Sequence, residues 1–247
     1  MQRRSGVCRW TAAALAAFIG VAAASPDGFP PRESEDVFVD RCERQILARD
    51  ASAAVWARDE CRARWSRALA AGPMAEALLA VAGAEGEAVP AAEDARARLP
   101  QVHWSTDGLA GRLGDIDVTL AGSASAVGGI AFDWREQGSG GRYNLLDALA
   151  IRGVALRTLG CPLYPGASMG REKVMRAHYP GRNPFTLTVY SRPAPTGVEP
   201  GLLEVDAAFG APAPDPAALR AGHYPGGGGR AFAVEPTGWT TDCPDPD

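Results

Sequence analysis

The spacing of four cysteines constrains this chain more than any other feature. Cys42, Cys61, Cys161 and Cys243 follow an N-terminal leader, and none forms the close Cys-x-x-Cys pair that a structural zinc site uses. An even set of widely spaced cysteines is read as disulfides when the chain enters an oxidising compartment, with more than one connectivity open. The compartment therefore has to be read first.

Arg3, Arg4 and Arg9 precede an uncharged run from Thr11 to Ala24, and small residues lead into Ser25-Pro26. This is the layout of a secretory signal peptide over residues 1–24, with cleavage near Ala24. The run is about fourteen residues, too short to cross a bilayer comfortably, and nothing later is long and uncharged enough to do so. The expected product is soluble, periplasmic or secreted, and without a membrane span. Losing the leader arginines takes the net charge from −4 to about −7. An acidic exported chain has no electrostatic basis for binding nucleic acid.

Residues 25–33 are rich in proline and read as a disordered linker. Beyond them Ser34 is placed as a helix N-cap, with Glu35 and Asp36 in the first turn, where acids suit the positive end of the helix dipole. Phe38, Cys42 and Ile46 then share one helical face, and Ala57, Cys61, Trp65 and Leu69 share the face of a second helix. The midpoint between the two cysteines falls at Ala51-Ser52, in the turn, so an antiparallel helical hairpin brings the sulfurs level. Cys42–Cys61 is the pair this predicts, closing a loop of about twenty residues worth about 3 kcal/mol in the chain-entropy picture. Cys161 is then left for Cys243, a loop of about eighty residues worth about 4.5 kcal/mol.

Pro73 opens a third helix, and Glu93 to Leu99 reads as a short fourth, completing a helical region over residues 34–99. Its alanine content favours helix but gives each helix little to bury. After Pro100 the pattern changes to short alternating runs. Asp115–Leu120, Gly129–Trp134, Val154–Cys161, Glu172–His178, Phe185–Tyr190 and Leu203–Phe209 are of strand length, and Arg230–Glu235 reads as a last strand. One principal helix is expected between Asn144, its N-cap, and Gly153. Strands that mostly follow strands predict an α+β fold: the stapled hairpin, then a mainly antiparallel sheet in a domain over residues 101–247.

Two patterns suggest function. Tyr164-Pro165-Gly166, Tyr179-Pro180-Gly181 and Tyr224-Pro225-Gly226 are turn signals, and His178 and His223 precede the last two. Tyr164, His178, Tyr179, His223 and Tyr224 are thus the candidate ligand-binding residues. Gly166-Ala167-Ser168-Met169-Gly170 has the Gly-x-Ser-x-Gly form of a nucleophile elbow, and Ser168, Asp206 and His223 follow the chain order of a hydrolase triad. Pro162 and Pro165 interrupt the strand that should lead into such an elbow, and the segment after it is short and strand-like. The reading favoured by the sequence is a non-enzymatic protein that binds an unknown protein or small molecule. A serine hydrolase using Ser168 is the alternative. The three histidines lack helical metal spacing, so neither a metal nor a cofactor is expected.

Overall fold

The computed structural model describes residues 28–134, 142–163, 171–191, 202–211 and 238–243. The signal peptide, Tyr164, Ser168, His223, Tyr224 and the expected strand Arg230–Glu235 lie outside the described residues. What is described is an α+β fold dominated by its sheet.

Helices α1 (Glu35–Arg49) and α2 (Ala57–Ala70) are joined through a short 3-10 turn at Ala51–Val55. The Asp50 side chain accepts from the Ser52 backbone N–H at 2.9 Å to start that turn. Cys42 and Cys61 are bonded, with Cα atoms 5.8 Å apart. Phe38 packs on Trp65 beside them, ring centroids 5.5 Å apart. Ser34 takes the N-cap position of α1 but its side chain makes no capping bond. Leu69, expected on the inner face of α2, is 45% exposed, and Ala68 is buried there instead.

Helix α3 (Gly72–Ala82) follows α2 in the helical layer, and a short α4 (Ala92–Ala97) comes after it. Met74, Ala75, Ala77, Leu78, Leu79, Val81 and Ala82 are all buried, as befits a helix that is apolar except at Glu76. Small side chains let its neighbours come close. At Gly72 an added Cβ would stand 2.7 Å from the Arg152 guanidinium, which crosses there to reach Glu76.

Helix α5 (Leu145–Ile151) fits its sequence signals closely. The Asn144 side chain accepts from the Asp147 N–H at 2.9 Å, and Gly153 follows the helix with φ 87°. Arg64 of α2 clasps Asp147 through two bonds of 2.9 and 3.1 Å. That fork fixes α2 against α5.

Among the described residues the sheet has nine strands in the order β1-β2-β3-β4-β8-β7-β6-β5-β9. They are β1 (His103–Trp104), β2 (Ala110–Leu113), β3 (Ile116–Ser123), β4 (Ala126–Asp133), β5 (Ala155–Leu163), β6 (Arg171–His178), β7 (Phe185–Ser191), β8 (Leu202–Ala208) and β9 (Gly238–Thr240). Every pairing is antiparallel. The six expected strands that fall within the described residues recur within a few residues of their predicted ends, while β1, β2 and β9 are too short to have carried a periodic signal.

Residues 83–91 connect the helices to the sheet. Pro90 C=O accepts from Val127 N–H at 2.8 Å, and Ala92 N–H donates to Ala124 C=O at 3.0 Å. The Asn183 amide donates to Ala82 C=O at 3.0 Å and Glu87 C=O at 2.8 Å, and its oxygen accepts from Gly86 N–H at 2.9 Å. One continuous cluster of buried apolar residues runs from α1 through α3 and α5 into β3, β4, β6, β7 and β8. Among the described residues no helix is long and apolar enough to cross a membrane.

Candidate functional site

Alternation gives the sheet two unlike faces, because successive side chains point to opposite sides and directly paired residues share a side. On the core side one transverse row reads Val118, Phe132, Val205 and Val189, and the next reads Leu120, Ile130, Ala207, Leu187 and Met175. On the other side the register aligns His103, Arg112, Asp117, Asp133, Glu204, Tyr190 and Glu172, one residue from each of seven positions across β1, β2, β3, β4, β8, β7 and β6. Every one of these side chains is polar. Beside them Thr119, Ala131, Asp206, Thr188 and Val174 form a second row on the same face.

The polar row is graded in depth. His103 and Arg112 are exposed, Asp117 and Asp133 half-buried, and Glu204, Tyr190 and Glu172 buried at 2%, 4% and 2% exposure. Asp206, Thr188, Thr186 and Ser191 are buried as well. The Arg112 guanidinium donates to Asp117 at 2.9 Å, a surface pair at the shallow end. Asp117, Asp133, Glu204, Tyr190, Glu172 and Asp206 all have partners within the protein.

Such a row opposes folding on its own account. Asp117 stands directly opposite Asp133, and Asp133 opposite Glu204, and like charges facing across strands repel. Burying carboxylates also costs desolvation free energy that an apolar row would not. Chemically, the row offers acceptors on both sides of a phenol, an arrangement suited to holding hydrogen-bond donors. Among the described residues no group of three or more His, Cys, Asp or Glu is arranged to hold a metal ion.

Of the candidates named from sequence, His178, Tyr179 and Asp206 lie within the described residues. His178 ends β6, exposed, and shares the polar face with Asp206, but the intervening strand β7 and four residues of register separate them. Asp206 lies in β8 between Ala131 and Thr188. Tyr179 has a local structural task. Its hydroxyl accepts from the Arg32 guanidinium at 2.5 Å, the same guanidinium lies 4.8 Å from the ring centre, and Phe29 meets that ring edge-on at 5.7 Å. Arg182 in turn covers Phe29 at 4.9 Å. Residues 29–32 are thereby tied to the turn between β6 and β7, and Arg32 N–H donates to Ile151 C=O at 2.8 Å.

At the margin of the two faces Tyr143 connects one to the other. Its ring packs on buried Trp134 at 5.9 Å, and its hydroxyl donates to Asp115 in a short bond. Burial, then that bond, pushes the Tyr143 phenol up to about 12.

Sequence alternation puts Asp115 and Asp117 on one face of the strand Asp115–Leu120, where they read as a carboxylate pair or as its solvated face. Sequence reasoning missed Asp133, Glu172, Tyr190 and Glu204. The available signal was two pairs of acids at alternate positions, Asp115/Asp117 and Glu204/Asp206, which read equally as solvated faces, while Asp133 and Glu172 stand singly in their strands. No protein-family model, no curated protein and no solved structure matches this chain.

Proposed function

We propose that this chain is an exported, non-enzymatic binding protein that takes its ligand on the polar face of the sheet. Residues 1–24 direct it to the periplasm or the exterior, and residues 25–33 lead into α1 and α2, which form an antiparallel hairpin ahead of the domain over residues 101–247. Disulfides between Cys42 and Cys61 and between Cys161 and Cys243 suit that destination.

The observation that supports the binding reading is the single register row Asp117, Asp133, Glu204, Tyr190, Glu172. Ionisable groups that are costly to bury concentrate at functional sites, where binding rather than stability retains them. Carboxylates flanking a phenol favour a small ligand that presents several hydrogen-bond donors, such as an amine or a polyol. In this reading Tyr164, His178, His223 and Tyr224 supply further contacts, while Tyr179 serves the N-terminal segment.

The test is a thermal-shift screen of the mature protein against amines and sugars, repeated with Glu204→Gln. A ligand at about a hundredfold its Kd should add about 2.7 kcal/mol to stability, and the variant should lose that gain. Equal shifts in both proteins would remove the row from binding. Fluorophosphonate labelling that disappears in Ser168→Ala would replace this reading with the serine hydrolase of Ser168, Asp206 and His223.

A further inference from the structure

We infer that the Cys161–Cys243 disulfide is a releasable latch: a dithiol reductant opens it in the folded protein and frees β9 with Trp239, while Cys42–Cys61 stays closed. Two bonds of the same chemistry sit in opposite surroundings. Cys42 and Cys61 are 2% and 0% exposed and lie between two helices that other contacts also hold. Phe38 packs on Trp65, and Arg58 reaches across to Asp40 at 3.0 Å and Glu43 at 2.7 Å. A thiolate reaches that bond only after the helix pair opens.

Cys161 is buried at 6% exposure, but Cys243 is partly exposed and follows exposed Thr241 and Asp242. The strand that this bond secures is minimal. Strand β9 has three residues and pairs with β5 at Cys161, Pro162 and Leu163 alone. A short terminal strand on a sheet edge is among the first parts of a fold to open.

Its seating includes one close approach. Trp239 rests on the backbone at Gly160, where any Cβ would lie 2.4 Å from the indole and where φ is +154°. Gly160 pairs with Val174, which shares its face with Glu172 and Tyr190. The indole therefore stands on the border of the polar face. Release of β9 strips it from that border and bares the outer backbone of β5 from Cys161 to Leu163.

The exchange balances with a dithiol as co-reactant. One thiolate attacks the reachable sulfur, Sγ of Cys243, forming a mixed disulfide and expelling Cys161 as a thiolate, which takes a proton. The second thiolate of the reductant attacks its own mixed-disulfide sulfur and expels Cys243, which is protonated in turn. Two electrons and two protons pass to the protein, and the reductant leaves as a cyclic disulfide. The latch stands whether or not the polar face binds a ligand.

The experiment is dithiothreitol titration of the mature, oxidised protein without denaturant, with iodoacetamide trapping, peptide mapping and parallel hydrogen exchange. Cys161 and Cys243 should be alkylated together, about a hundredfold or more faster than Cys42 and Cys61, because local opening is far easier than global unfolding. Exchange should rise in residues 161–163 and 238–243 and stay unchanged in α1 and α2. Cys243→Ser should reproduce that exchange pattern without reductant. Simultaneous reduction of both bonds, earlier reduction of Cys42–Cys61, or reduction without faster exchange in 161–163 and 238–243 would overturn the latch. So would a Cys243→Ser protein that loses its near-ultraviolet circular dichroism.

Discussion

The two faces of the sheet share one backbone ladder and one register, yet neighbouring residues of the same strands carry opposite chemistry. Val118, Phe132, Val205 and Val189 enter the core, while Asp117, Asp133, Glu204 and Tyr190, each adjacent in sequence to one of them, form the polar row on the other side. The core face is what the helices need in order to bury their apolar surface, and it is continuous with them. The polar face carries repulsion and desolvation costs that an apolar row of similar volume would avoid. One face is explained by stability. The other calls for a function.

The largest test of this contrast is Phe132→Ala. Phe132 is fully buried in the core row, and its loss should cost about 3–5 kcal/mol in urea denaturation. A cost below about 1 kcal/mol would mean that this face is not the one that holds the fold.

A smaller effect is expected from the paired change Glu172→Gln and Glu204→Gln. It should leave stability within about 2 kcal/mol of the parent, because shape is kept and like-charge repulsion is relieved. Ligand-induced stabilisation should disappear with it. A loss as large as that of Phe132→Ala would make the carboxylates structural and erase the distinction between the faces.

The smallest effect belongs to the margin, at Tyr143. Its phenol titrates higher in the folded protein than in the unfolded chain, through burial first and then the bond to Asp115. The folded state thus favours the neutral phenol. That contribution is complete below about pH 10 and is lost as pH rises toward about 12. Urea midpoints across this window should fall more steeply for the parent than for Tyr143→Phe; parallel profiles would show that Tyr143 does not link the faces.

Much of the fold was legible, for reasons that differ from element to element. Asn144 and Gly153 bracket α5 because a cap needs a short side-chain acceptor and a stop needs positive φ. Strand β7 runs Phe185–Ser191, where the alternation is cleanest, even though all seven of its residues are buried. Helix α3 was harder to judge. Its alanines promised little burial, but small side chains surrounded by neighbours are buried completely. Leu69 was misplaced because a helical face read from spacing alone does not show which flank its partner covers.

The candidate site was the least legible part. Alternation could place Asp133, Glu172 and Glu204 on strand faces, but not beside one another. Strand β4 takes β8 as its neighbour across about seventy intervening residues, and β7 then separates β8 from β6.

The sequence by itself determined most of the described helices and longer strands and both disulfide partners, because periodicity and the geometry of a short turn are local properties. Cys42 and Cys61 were level with each other as soon as two helices met at Ala51-Ser52. Only the tertiary structure decided the order of strands, and with it the assembly of five strand positions into the row Asp117, Asp133, Glu204, Tyr190, Glu172. It also decided that Trp239 lies over Gly160, and so that one staple is sealed in the core while the other holds an edge. The physical reason is range: local rules fix the direction of each side chain, but only long-range pairing sets what stands next to it.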